Sequence, residues 1–202
     1  MRQLLTVVCC LFLAACYGAG KRGGDDALTI YDFGPPVVAG AGSAGQRSEV
    51  ALEVRAPPWF DSLGIEYRLA YDEPKHLRDY TRSRWVGPPT QMIQQRLIQQ
   101  SGLMPAGQGR TRCVLRVDID EFAQVFDTPT ASRGLIQGRA HLLDRSRTSL
   151  ASHDFRIEKP ATSGDARGGV AALTLAVDQL VVNLLVWERE LKGSGRAAAC
   201  FS

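Results

Sequence analysis

The residues best placed to do chemistry stand at the N-terminus. Leu13, Ala14, Ala15 and Cys16 close an apolar run that begins at Leu4 and follows Arg2. A short positive start, an apolar stretch and small side chains ahead of a thiol have the anatomy of an export signal. The stretch holds about 12 apolar residues, too few for the roughly 20 that a membrane-spanning helix needs. Ala14 and Ala15 let a peptidase approach the backbone, and the Cys16 thiol is then placed to accept a lipid. Two or more acyl chains hold a protein on a membrane far more firmly than one, so the expected state is anchored rather than spanning. A plain secretory signal, or an apolar first helix of a cytoplasmic protein, is the blander reading of the same run. Residues 1–15 are expected to be removed as a signal peptide, and 16–27, Gly-rich and polar, to form a flexible tether.

The other reactive groups are dispersed. Cys113 and Cys200 survive processing into an oxidising compartment. Cys113 opens a strand while Cys200 lies in a tail behind Gly193 and Gly195, so the expectation is unpaired thiols. His76, His141 and His153 have no second ligand at metal spacing. Asp118, Asp120 and Glu121 suggest carboxylate pairing, but alternation sets Asp118 and Asp120 on the polar face of a strand with Arg116, where solvated charges belong. Gly107-Gln108-Gly109 and Gly168-Gly169 lack the flanks of a phosphate loop or dinucleotide turn. A lipid-anchored hydrolase would need a nucleophile and base that the chain does not offer, so no enzyme, metal or cofactor is expected beyond the lipid on Cys16. Lys and Arg number 24 against 21 for Asp and Glu, a net +3 too small and too scattered for a nucleic-acid stripe.

With 45% hydrophobic and 22% charged residues, the chain has the composition of an ordinary globular protein. One domain is expected over 28–192, with 193–202 a flexible tail. Strands are predicted over 28–33, 49–56 and 65–71, the second with Val50, Leu52 and Val54 on one face. Residues 75–85 are too polar and charged to show a strand pattern. Pro88-Pro89 opens a helix with Met92, Ile93, Arg96, Leu97 and Gln100 at helical spacing, stopped by Gly102. Strands over 113–126, 135–144 and 150–158 follow, the first alternating along its whole length, and then a long helix over about 165–190. The order β-β-β-α-β-β-β-α predicts an α+β two-layer sandwich, a mainly antiparallel sheet with two helices on one face.

Several apolar residues are candidates for partner contact. Trp59 and Phe60 sit in a turn beside two prolines, where core and contact roles weigh equally. Trp85, just before a helix, suits a core plug better than a partner contact. The last helix has a core stripe of Val170, Leu173, Val177, Leu180, Val181, Leu184 and Leu185. It carries a second flank, Leu175, Val182 and Val186, leaving only a narrow polar strip of Asp178, Asn183, Glu188 and Glu190. That flank is either a widened core stripe or a surface that a neighbouring subunit or a partner covers.

Three segments carry a resemblance: Tyr31-Asp32-Phe33 after the tether, Pro57-Pro58-Trp59-Phe60-Asp61-Ser62-Leu63-Gly64-Ile65, and Arg84-Trp85-Val86-Gly87-Pro88-Pro89 at a helix mouth. With the Leu13-to-Cys16 run, which matches the bacterial lipoprotein lipobox, they make the chain similar to the ABC-type transport auxiliary lipoproteins, the PqiC-like family. The resemblance implies a non-catalytic outer-membrane lipoprotein facing the periplasm, sorted there because Tyr17 rather than Asp follows Cys16. It implies partnership with an MCE-domain protein and inner-membrane components in moving lipids between membranes, with self-association possible. A structural envelope lipoprotein without a transport partner is the alternative.

Overall fold

The computed structural model describes residues 27–36, 47–108, 111–193 and 195–201; the expected signal peptide, Cys16 and nearly all of the expected tether lie outside them. Eight strands, β1 (Thr29–Tyr31), β2 (Arg47–Arg55), β3 (Gly64–Leu69), β4 (Glu73–Trp85), β5 (Leu103–Pro105), β6 (Cys113–Phe126), β7 (Ser132–Leu143) and β8 (Ser149–Pro160), form one mixed sheet. Helices α1 (Pro89–Ser101) and α2 (Ala166–Lys192) pack on one face of it and on each other, which makes the two-layer α+β sandwich.

The long antiparallel ladders are β6–β7 and β7–β8, with β3–β4 a shorter one. The other pairings are parallel, and for the two made by β6 the reason is its length. Its 14 residues give β2 a parallel partner along residues 113–118 and β3 another along 124–126 of the same edge. β2 and β3 therefore run in line rather than as a hairpin. The 3-10 helix Pro58–Asp61 between them steps the chain forward along β6.

Two strands were not expected. β4 occupies the stretch that reads as polar connection, because it lies near the sheet margin, flanked by β3 and by the three residues of β1, and buries little besides Trp85. A strand that buries so little needs no alternating apolar face. β5 is three residues directly after Gly102, which ends α1 in the left-handed conformation at φ 70°.

β6 does not alternate along its whole length either. A bulge at Asp120 shifts the register between Ile119 and Glu121. Leu115, Val117 and Ile119 face the helices before it; after it the inward set becomes Phe122 and Gln124. One extra residue reverses a period of two, which aims Phe122 inward and Glu121 outward. The opposing position has to be glycine, since a Cβ on Gly138 would overlap the Asp118 carbonyl oxygen and crowd the Phe155 ring.

α2 begins at Asp165, whose carboxylate accepts the Gly168 N–H at 2.8 Å, an N-cap that also holds the Asp165 pKa below its ordinary value. The adjacent Gly169 brings the helix onto the sheet over Gln124, where any side chain would collide with the amide oxygen. Gln124 is fully buried and satisfied: it accepts from Tyr80 Oη at 2.8 Å and donates to Ser132 Oγ at 2.8 Å. The paired glycines are thus a packing device.

Two expectations for the C-terminus are corrected. Residues Gly195–Cys200 form a 3-10 helix rather than a flexible tail, with Ala197 and Cys200 buried. Cys113 and Cys200 are joined as a disulfide, Cα–Cα 5.5 Å. The physical reason is the turn after α2, which carries the chain back to the first residue of β6.

Candidate partner-docking surface

The three family-like segments meet in space. β1 pairs with the end of β4, Tyr31 opposite Trp85, and Val86 donates its N–H to the Tyr31 carbonyl at 2.8 Å. Phe33 meets Trp85 edge-on at 5.4 Å between centroids, and Trp85 stacks on Phe122 at 5.9 Å. Trp85 is 2% exposed and Phe60 4%. Both are removed from the partner-contact candidates: Trp85 plugs the core beside the mouth of α1, and the 3-10 helix turns Phe60 inward. The same turn leaves Trp59 62% exposed.

The second flank of α2 stays uncovered. Leu175, Val182 and Val186 are 52%, 45% and 40% exposed, while Val170, Leu173, Val177, Leu180, Val181 and Leu184 are buried. Widening of the core stripe accounts only for the partly buried Leu185. By length and composition α2 would suffice to cross a membrane, yet half of its apolar stretch is buried on the sheet. Singly exposed apolar residues are common, but these three lie along one line of the helix and form a continuous apolar flank.

The polar strip of α2 is narrower than the sequence suggests, because two of its members point inward. Asp178 accepts from Arg96 Nε at 2.7 Å and Nη2 at 3.1 Å, and from Gln100 Nε2 at 2.7 Å. Arg96, 3% exposed, also donates to the Gly34 carbonyl at 3.0 Å, which ties the segment after β1 to both helices. Glu188 is buried and paired with Lys192 at 3.3 Å. Arg96 and Gln100 thus sit on the apolar face of α1 because their partner comes from α2. Ile30 and Val86, both more than 60% exposed, were not among the candidates: Ile30 sits in the predicted first strand, where burial is the expectation, and Val86 follows Trp85 just ahead of the helix.

Among the described residues no helix covers the opposite face of the sheet, which is crossed by ion pairs. Arg116 bonds Asp118 at 2.9 Å, Arg68 bonds Glu121 at 2.8 Å, and Arg139 pairs with Asp154. His141 lies 3.6 Å from Asp118, His76 bonds Glu73 at 3.2 Å, and His153 stacks on Trp187 at 5.4 Å. Each histidine has a neighbour, Asp118 and Glu121 are each paired with an arginine, and Asp120 is exposed at the bulge. Among the described residues no group of three or more His, Cys, Asp or Glu could hold a metal.

Among the described residues, Glu66 is the one carboxylate held well above its ordinary range. Burial, then the negative charges of Glu121 and Asp79, push its pKa up to about 7 against the counter-pull of Arg68. The unfolded chain releases this proton near 4.5, so the folded state binds more protons between about pH 4.5 and 7, and stability falls as pH rises through that window. Glu66→Gln should remove the fall and raise stability at pH 8 by about 1–2 kcal/mol, allowing for solvent screening. Urea unfolding of both proteins at pH 5 and pH 8 checks this; equal gains at the two values would contradict it.

The model of the family described as ABC-type transport auxiliary lipoprotein component matches residues 31–184, and the chain belongs to that family. It is a member of a lipoprotein family that serves ABC-type transport as an auxiliary component. A crystal structure of a Xanthomonas campestris protein, classed under DUF330, is similar with a TM-score of 0.65 and 24% identity, covering 79% of this chain and 94% of that one. A second, of an uncharacterized protein, has a TM-score of 0.58 and 17% identity over 78% and 96% of the two chains. Both support the fold. No curated protein matches the chain.

Proposed function

We propose that the protein is the outer-membrane lipoprotein of an intermembrane lipid-transport system, anchored through acylated Cys16 on the periplasmic face and docking an MCE-domain partner linked to inner-membrane transport components. Its role is structural, to hold a partner in place, rather than catalytic. The observation that carries the docking role is the uncovered apolar line Leu175, Val182 and Val186 on α2; Trp59 is a separate exposed apolar residue. The Leu13-to-Cys16 run supports the anchor, and Tyr17 supports onward sorting to the outer membrane.

Leu175→Glu with Val182→Glu tests the docking surface. Both side chains are half exposed, so circular dichroism should be unchanged, while co-purification of the MCE-domain protein should drop at least about tenfold, the cost of a charge in an apolar contact. Cys16→Ser should leave an unprocessed precursor that no longer labels with palmitate. Undiminished co-purification of the double variant would remove α2 from the interface, and palmitate labelling of Cys16→Ser would remove the anchor assignment.

A further inference from the structure

Three arginines from three separate segments line one open cleft at the end of the sheet opposite the start of α2. Arg112 precedes β6, Arg145 stands in the β7–β8 turn, and Arg196 lies in the C-terminal 3-10 helix. The cleft measures about 710 Å³, and Leu150, Ala199 and the Cys113–Cys200 disulfide form its apolar wall. We propose that this cleft binds a phosphate-bearing amphiphile, its phosphate on the arginines and the first carbons of its chain against Leu150 and the disulfide.

Each arginine is carried by fixed backbone. The Arg112 N–H is bonded to the Glu49 carbonyl at 2.9 Å, at the start of β2. Arg196 belongs to a turn pinned by buried Ala197 and by the disulfide at Cys200. Asp144 closes the β7–β8 turn by accepting from Ser146 N–H at 2.8 Å, Ser146 Oγ at 2.6 Å and Thr148 N–H at 2.9 Å. Those bonds all fall on Oδ1; they hold the Asp144 pKa below its ordinary value and fasten the one carboxylate that lines the cleft to its own turn. The turn's other arginine, Arg147, leaves the cleft for Glu53 on β2, whereas Arg145 and Arg196 make no ion pair with the described carboxylates. Guanidinium groups present a planar fork that fits phosphate oxygens two at a time. The aliphatic and sulfur wall beside them favours a phosphate that carries a chain.

The test uses the full chain in nonionic detergent and isothermal titration calorimetry with dihexanoyl phosphatidylglycerol, dihexanoyl phosphatidylcholine and inorganic phosphate. The phosphatidylglycerol should bind, more tightly than inorganic phosphate and than the zwitterionic lipid. Arg145→Ala with Arg196→Ala should weaken it about tenfold or more, at unchanged circular dichroism because both side chains are exposed. Arg145→Lys with Arg196→Lys should fall between, since lysine keeps the charge without the fork. Cys200→Ser should weaken binding by freeing the segment that carries Arg196. Equal affinity for phosphate and phosphatidylglycerol would overturn the amphiphile assignment. Equal affinity for the two lipids, absence of binding, or binding that ignores the double alanine variant would overturn the site. Leu175→Glu with Val182→Glu should leave this titration unchanged, which keeps the cleft separate from the docking role of α2.

Discussion

Reducing the Cys113–Cys200 disulfide should lower the midpoint of thermal unfolding by about 10–15 °C. The two cysteines are 87 residues apart in sequence, so the bridge closes a loop that spans β6, β7, β8 and the whole of α2. Restricting the unfolded chain over such a loop stabilises the fold by about 4–5 kcal/mol in the chain-entropy account, and a domain of this size shifts by about 2–4 °C per kcal/mol. Besides the disulfide, the 3-10 helix Gly195–Cys200 is held by buried Ala197 and by packing on α2 and β8, so on reduction it should loosen before the sheet does. Circular dichroism melts with and without reductant, repeated on Cys200→Ser, check this. Superimposable melts would mean that the thiols are unpaired in solution.

Asp178→Ala should cost about 3–5 kcal/mol. Asp178 is the counter-ion of Arg96, a guanidinium only 3% exposed between the two helices, and it also accepts from Gln100. Removing one partner of a buried pair leaves the other charged and out of water, which is the costly case. Replacing both with apolar groups, Arg96→Met with Asp178→Leu, should recover most of the loss, because the pair's own desolvation is then relieved as well. Urea titrations measure it as a lower midpoint at unchanged slope. A loss below about 1 kcal/mol for Asp178→Ala would mean that water reaches Arg96 once the carboxylate is gone.

These two features show where the sequence is silent. The amphipathic pattern of α1 contains Arg96 and Gln100 on its apolar face and that of α2 contains Asp178 on its polar one, but only the crossing of the helices makes them partners. Cys200 lies beyond two glycines, a position that reads as a tail, and nothing local shows that the chain turns back to Cys113. What was legible is what local periodicity controls. The face of Val50, Leu52 and Val54, the stop of α1 at Gly102 and the core stripe of α2 stand where their spacing puts them. The failures come from tertiary context. β4 is polar because it lies near the margin of the sheet, whereas the reversal of β6 had a local sign, the adjacent acidic pair Asp120-Glu121 that breaks the alternation at the bulge. For the docking surface, the spacing of Leu175, Val182 and Val186 sufficed to find an uncovered flank. The inward turn of Phe60 and the burial of Trp85 depended on the Pro58–Asp61 helix and on the Phe33 and Phe122 rings, which come from distant strands.

The central claim, that the uncovered line of α2 seats a transport partner, is tested most directly by a photo-crosslinking residue placed at position 182 in the full-length lipoprotein in intact cells. The account predicts an ultraviolet-dependent adduct containing an MCE-domain protein, and no such adduct when the same residue replaces Arg156 on the ion-paired face. An adduct with that protein from position 156 and none from position 182 would contradict it.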